Sequence, residues 1–197
     1  MTLLWHLPAR YDAEEAWRFF RRPRWGNLFG ILELAGPAPP LARGALPRIE
    51  RVWMPYYLID FRVNSHKGPG IISVSLEAWS GSFALFERHA DLVEADVGED
   101  HFDPGLTEEA AVAQARRELL QSIMRRRGQQ DKPVIEAAED TRLFYYPFWI
   151  YYFLKHGRYI DIRLMDAYTG ETGGNRNKQG ILNAMVAKKR GCFTPLE

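Results

Sequence analysis

The sequence is short of the residues that build several kinds of site. It has one cysteine, Cys192, which excludes an internal disulfide and any zinc site made from several cysteines. Excess charge is missing too: 26 Lys+Arg stand against 25 Asp+Glu, which excludes a strongly basic nucleic-acid binder and a highly charged disordered chain. The longest apolar run, Leu143 to Leu154, falls short of the about 20 residues that a membrane-spanning helix needs. Met1 to Arg10 has no basic leader and no small-residue cleavage site, so the expectation is a cytoplasmic protein without a membrane anchor. Catalytic motifs are absent as well. None of His6, His66, His89, His101 and His156 has metal-ligand spacing. Ser80 and Ser82 flank Gly81 without the G-x-S-x-G of a nucleophile elbow. The glycines of 26–30 and 68–70 lack the Lys-Ser/Thr of a phosphate loop. The expectation is no cofactor and no metal.

What is present is repetition. Glu14-Glu15-Ala16 matches Glu108-Glu109-Ala110, 94 residues on. Trp53-Met-Pro-Tyr-Tyr-Leu-Ile59 matches Tyr145-Tyr-Pro-Phe-Trp-Ile-Tyr151, 92 residues on. Leu76-Glu-Ala-Trp-Ser-Gly81 matches Met165-Asp-Ala-Tyr-Thr-Gly170, 89 residues on. Three matches in the same order read as an internal duplication. The fold class expected is α+β: two tandem repeats, 1–98 and 99–197, each a helix packed on an antiparallel β-sheet, related by a pseudo-two-fold axis. The second repeat ends in a basic tail, Arg176 to Arg190, with five basic residues and no acid.

The local signals support that order. Asp12 can cap a helix with Glu15 at the capping-box position, and Ala13, Ala16, Trp17 and Phe20 share one face. Thr107 caps a second helix with Val112, Ala115, Leu119 and Ile123 as its stripe, and Gly128 ends it. Short strands are expected at 28–34 and 134–138. Long ones are expected at 51–63 and 142–155, with return strands at 71–78 and 159–167. The return strands disagree in phase, since Ile72, Val74 and Leu76 do not align with Ile160, Ile162 and Leu164. A bulge or burial on both faces would account for this.

The second half resembles the PepSY domain family, in which a helix precedes an antiparallel sheet ending in a Val-Asp-Ala-x-Thr-Gly-Glu turn. The residues that carry the resemblance are Met165-Asp166-Ala167-Tyr168-Thr169-Gly170-Glu171. It covers 107–173, with a degenerate copy over 12–82. The resemblance implies a role in contacting peptides or proteins, associated in that family with restraint of peptidases.

The aromatic strand is the loudest feature. Phe144, Tyr146, Phe148, Ile150, Tyr152 and Leu154 point to one face, and Tyr145, Pro147, Trp149, Tyr151 and Phe153 to the other. A helix covers only one of them, so the second face needs the other repeat, a second subunit or a ligand. Left bare it would expose about 700 Å² or more, at roughly 150–250 Å² per ring. Pro55 and Pro147 occupy matching places and predict an edge or a bulge there. Glu77 and Asp166 are also matched. They either bond to the amides of their own turns or face each other as an acid/base pair.

The function read from these features is a non-catalytic binding or regulatory module that contacts a peptide or protein through Trp53, Tyr57, Tyr145, Trp149 and Tyr151, with a second copy of the chain in a homo-oligomer as the other candidate partner. One alternative is an enzyme or small-ligand binder with a cleft between the repeats, lined by aromatic residues and by Glu77, Asp166 or a histidine. Another is a nucleic-acid adaptor that uses the basic tail or Arg18, Arg21, Arg22 and Arg24 interleaved with Phe19, Phe20 and Trp25.

Overall fold

The computed structural model describes residues 3–22, 46–98, 100–125, 132–156 and 158–191. The candidate strand at 28–34, Arg24, Trp25, the glycines of 26–30, the Pro37–Pro40 loop, Gly128 and Cys192 lie outside them. The fold is α+β, with one seven-stranded sheet and, among the described residues, three α-helices. In chain order these are β1 (Leu4–His6), α1 (Ala13–Arg21), β2 (Arg48–Ser65), β3 (Gly68–Glu77), β4 (Phe83–Leu85), β5 (Val93–Ala95), α2 (Glu108–Arg125), β6 (Val134–Lys155), β7 (Tyr159–Asp166) and α3 (Asn175–Gly191).

The two long strands form the centre of the sheet. β2 and β6 run antiparallel, with Trp53 opposite Pro147, Met54 opposite Tyr146 and Pro55 opposite Tyr145. Each also forms a hairpin on its outer side: β2 with β3, and β6 with β7. The short strand expected at 134–138 is not separate. It is the start of β6, because the ladder with β2 runs on through this segment with register shifts at Asp60/Phe61 and Arg62/Val63.

Pro55 and Pro147 therefore lie in central strands, neither at an edge nor at a bulge. The carbonyl of Pro55 accepts the Ala78 N–H at 3.0 Å, and that of Pro147 accepts the Ala167 N–H at 3.1 Å. Each proline nitrogen points the same way as its carbonyl, away from the β2–β6 ladder. There the flanking strand is changing, and a missing donor costs nothing.

The chain segment before each of α1 and α2 crosses to the other half of the sequence. Leu7 N–H reaches the Tyr145 carbonyl at 3.1 Å, and Phe102 N–H reaches the Trp53 carbonyl at 3.1 Å. Consequently α1 lands on the second hairpin, with Ala16 and Phe20 against Trp149, Met165 and Ala167. α2 lands on the first, with Ala111, Ala115, Leu119 and Ile123 against Tyr57, Ile59, Phe61 and Leu76. Asp12 closes a full capping box on α1, with 2.9 Å bonds in both directions to Glu15. Thr107 Oγ1 accepts the Ala110 N–H at 3.3 Å on α2.

The other sheet face is covered by α3. Residues expected to trail as a solvated basic tail form this helix, and Ile181 and Ala184 are buried against Ile150, Ile162 and Leu164. Leu7, Phe86 and Phe102 complete the cover. The chain itself thus buries both faces of the aromatic strand, and the phase mismatch of the return strands has a physical reason. Val74 and Leu76 of β3 belong to the core under α2, whereas Ile162 and Leu164 of β7 belong to the core under α3. No helix among the described residues is long and apolar enough to cross a membrane.

Candidate functional site

Of the five aromatic residues expected to bind a partner, four are buried by the chain's own elements. Trp53 and Tyr145 meet at the centre of the helix face beside Val97. Tyr57 is under α2, and its hydroxyl donates to the Leu106 carbonyl at 2.8 Å. Trp149 is under α1, and its indole N–H donates to the Tyr11 carbonyl at 2.8 Å. Tyr151 is half-buried, stacked between Phe20 and Phe153 with ring centroids 5.2 and 5.7 Å away. These residues hold the fold together, as aromatic side chains with one satisfied polar atom commonly do.

What reaches the surface at this face is a residue that sequence reasoning missed. Arg51 is exposed, stands opposite Trp149 in the β2–β6 ladder and is two residues from Trp53. Its guanidinium lies over both indoles, 5.6 Å from the Trp53 ring centroid and 5.8 Å from that of Trp149. The sequence carried a faint signal: Arg51 stands two residues before the first aromatic string, where Leu143 stands before the second.

The matched carboxylates sit on the α3 face. Glu77 accepts the Trp79 N–H at 2.8 Å and the Ser80 N–H at 2.5 Å. Asp166 accepts the Tyr168 and Thr169 N–H groups at 2.8 and 2.9 Å. Each therefore serves its own turn, and a glycine with positive φ closes each turn: Gly81 at 66° and Gly170 at 79°. The two differ in exposure. Glu77 is only 1% exposed, and a methyl group on Gly180 of α3 would collide with its Oε2. Burial pushes the Glu77 carboxyl above its ordinary range, against the pull of the turn amides. Asp166 is half-buried and accepts the Tyr146 hydroxyl at 2.7 Å.

Tyr56 and Tyr146 lie 5.4 Å apart in this region, their rings tilted at 41°. Burial raises both phenols, with the charges of Glu77 and Asp166 adding to the rise at Tyr56 and that of Asp166 at Tyr146. Glu77 and Asp166 thus share Tyr56 as a neighbour without bonding each other.

The histidines are dispersed. His6 packs edge-on to Trp53 at 4.9 Å, and His101 edge-on to Tyr145 at 5.5 Å. Their Nδ1 atoms lie 3.1 Å from the Leu7 carbonyl and 2.7 Å from the Gly98 carbonyl. Among the described residues no cluster of three or more His, Cys, Asp or Glu is placed to hold a metal. An open recess of about 350 Å³ lies elsewhere, lined by Phe83, Glu118, Ser122, Arg125 and Arg176, and contains neither the five aromatic residues nor Glu77 or Asp166.

Compared with protein-family models, with curated proteins and with solved structures, the chain matches none.

Proposed function

We propose that the chain is a duplicated helix-on-sheet unit acting as a non-catalytic binding module, which contacts a peptide or protein through the strand face built on Trp53 and Trp149. Support for the duplication comes from contacts that recur at fixed spacing. A step of 95 residues takes His6, Leu7, Tyr11 and Asp12 to His101, Phe102, Leu106 and Thr107, and a step of 92 takes Trp53, Pro55 and Tyr57 to Tyr145, Pro147 and Trp149. The same steps convert the Leu7–Tyr145 bond into Phe102–Trp53, and Tyr57–Leu106 into Trp149–Tyr11. They convert the His6–Trp53 ring pair into Tyr145–His101. The Glu14–Ala16 string match is one residue out of step with them: Ala16 pairs with Ala111, and both are fully buried.

The commitment of Glu77 and Asp166 to turn amides favours a non-catalytic role, and the form of the Asp166 turn favours the PepSY-like reading with its peptide partner. The observation that carries the binding role is the exposed Arg51 guanidinium held over Trp53 and Trp149. The test is fluorescence anisotropy with three labelled dodecapeptides that share Trp and Leu positions and carry three Glu, three Gln or three Lys. Saturable binding of at least one supports the module. Absence of binding by all three up to millimolar protein removes it.

A further inference from the structure

We infer that Arg51 is the anchor for a carboxylate of an acidic peptide segment; this rests on the binding-module reading and names its ligand. The first argument is the company the guanidinium keeps. The other described arginines of β2 and β6 each have an acid within reach: Arg48 with Glu50 at 3.6 Å, Arg62 with Glu136 and Glu139 at 3.2 and 3.1 Å, and Arg142 with Asp140 at 2.6 Å. Arg51 has no acid and no hydrogen-bond acceptor among the described residues. Its contacts are the two indoles.

The second argument is pre-organisation. A surface arginine ordinarily loses side-chain freedom when it grips a ligand, and that loss weakens binding. Here the indoles already position the guanidinium through cation–π contact. Trp149 is itself fixed by its bond to the Tyr11 carbonyl at 2.8 Å, and Trp53 by the Asp100 carbonyl accepting its backbone N–H at 3.0 Å. Arg51 is exposed, and a planar guanidinium fork suits bidentate capture of a carboxylate.

The third argument selects a peptide over a nucleic acid. The segment bonded to Trp53 at Asp100 and Phe102 belongs to the stretch from Glu87 to Glu109, which contains nine acidic residues and one arginine. That field opposes a phosphate backbone, which brings many charges at once, far more than it opposes a single carboxylate.

The full-length chain is titrated with the Glu, Gln and Lys dodecapeptides and with a twelve-residue oligothymidylate, each labelled with fluorescein, in wild type, R51Q and R51K. The expected order is Glu tighter than Gln tighter than Lys, with about a tenfold gap between Glu and Gln. R51Q is expected to erase that gap and R51K to keep only part of it. If R51Q keeps the gap, or if the Glu and Gln peptides bind wild type equally, the anchor is wrong and the binding module stands. If the oligothymidylate binds tighter than the Glu peptide, the partner class is wrong. If no peptide binds, the module and its anchor fall together. Arg51 is exposed, so an unchanged thermal midpoint in R51Q separates lost binding from lost folding.

Discussion

The two hairpins are covered differently, and the difference shows what each half of the sequence is for. The β2–β3 hairpin carries its core on one face. α2, 18 residues long, roofs Tyr57, Ile59, Phe61 and Val63, while the opposite face turns polar beyond Leu58, with Arg62 paired to Glu136 and Glu139. The β6–β7 hairpin is a filling between two helices. α1, only 9 residues long, lies on one face and α3 on the other. One strand pattern has therefore been used once as a half-buried ribbon and once as a doubly buried one. An alternation rule taken from the first would misplace the second.

The sharpest way to break this comparison is at Trp149. If it belongs to the core beneath α1, Trp149→Ala costs about 3–5 kcal/mol in a urea titration. A variant with wild-type stability would return Trp149 to the role of a free contact residue. Ile181→Ala tests the other side of the filling. Ile181 is fully buried under α3, so the expected loss is about 2–5 kcal/mol. A basic tail lying loose in solvent would lose almost nothing.

Much of this arrangement was legible in the residues. Asp12 and Glu15 announced a helix start, and the alternation from Phe144 to Phe153 assigned both faces of β6. The small residues of the two Ala-x-Ser/Thr-Gly turns marked their geometry. The pairing of the halves was not legible, because nothing local says that the segment before a helix will cross to the partner hairpin. α3 was hidden by composition: Gly180, Ile181 and Ala184 are a narrow stripe among Arg176, Lys178 and Lys188. Arg51 was hidden for another reason. Its place depends on the register that sets it opposite Trp149, and register is a tertiary fact.

The matched carboxylates give a smaller effect with a definite sign. Burial raises the Glu77 carboxyl in the folded chain, so the fold favours its protonated form. The associated stability is fully present below the unfolded pKa and is lost as pH rises through the folded one. The stability of wild type relative to Glu77→Gln should therefore decline as pH rises through and above the ordinary carboxylate range, measured as the difference of paired urea midpoints. A flat difference would mean that Glu77 is solvated and that α3 does not press on it.

The smallest test compares the polar ties of the two helices. Tyr57→Phe removes a hydroxyl bond to Leu106, and Trp149→Phe removes an indole bond to Tyr11; both bonds span 2.8 Å and hold the residue just before a helix cap. If the halves descend from one unit and these contacts correspond, both substitutions strand the same kind of carbonyl. Each should cost about 0.5–1.5 kcal/mol from the lost bond, with Trp149→Phe carrying an additional packing loss. The useful readout is local. Hydrogen exchange at Ala16 in Trp149→Phe and at Ala111 in Tyr57→Phe should accelerate, because each amide bonds to the cap residue of its own helix, Asp12 or Thr107. The reverse crossing, α1 loosened by Tyr57→Phe or α2 by Trp149→Phe, would contradict the exchange of helices between hairpins. It would leave the recurring contacts as coincidence.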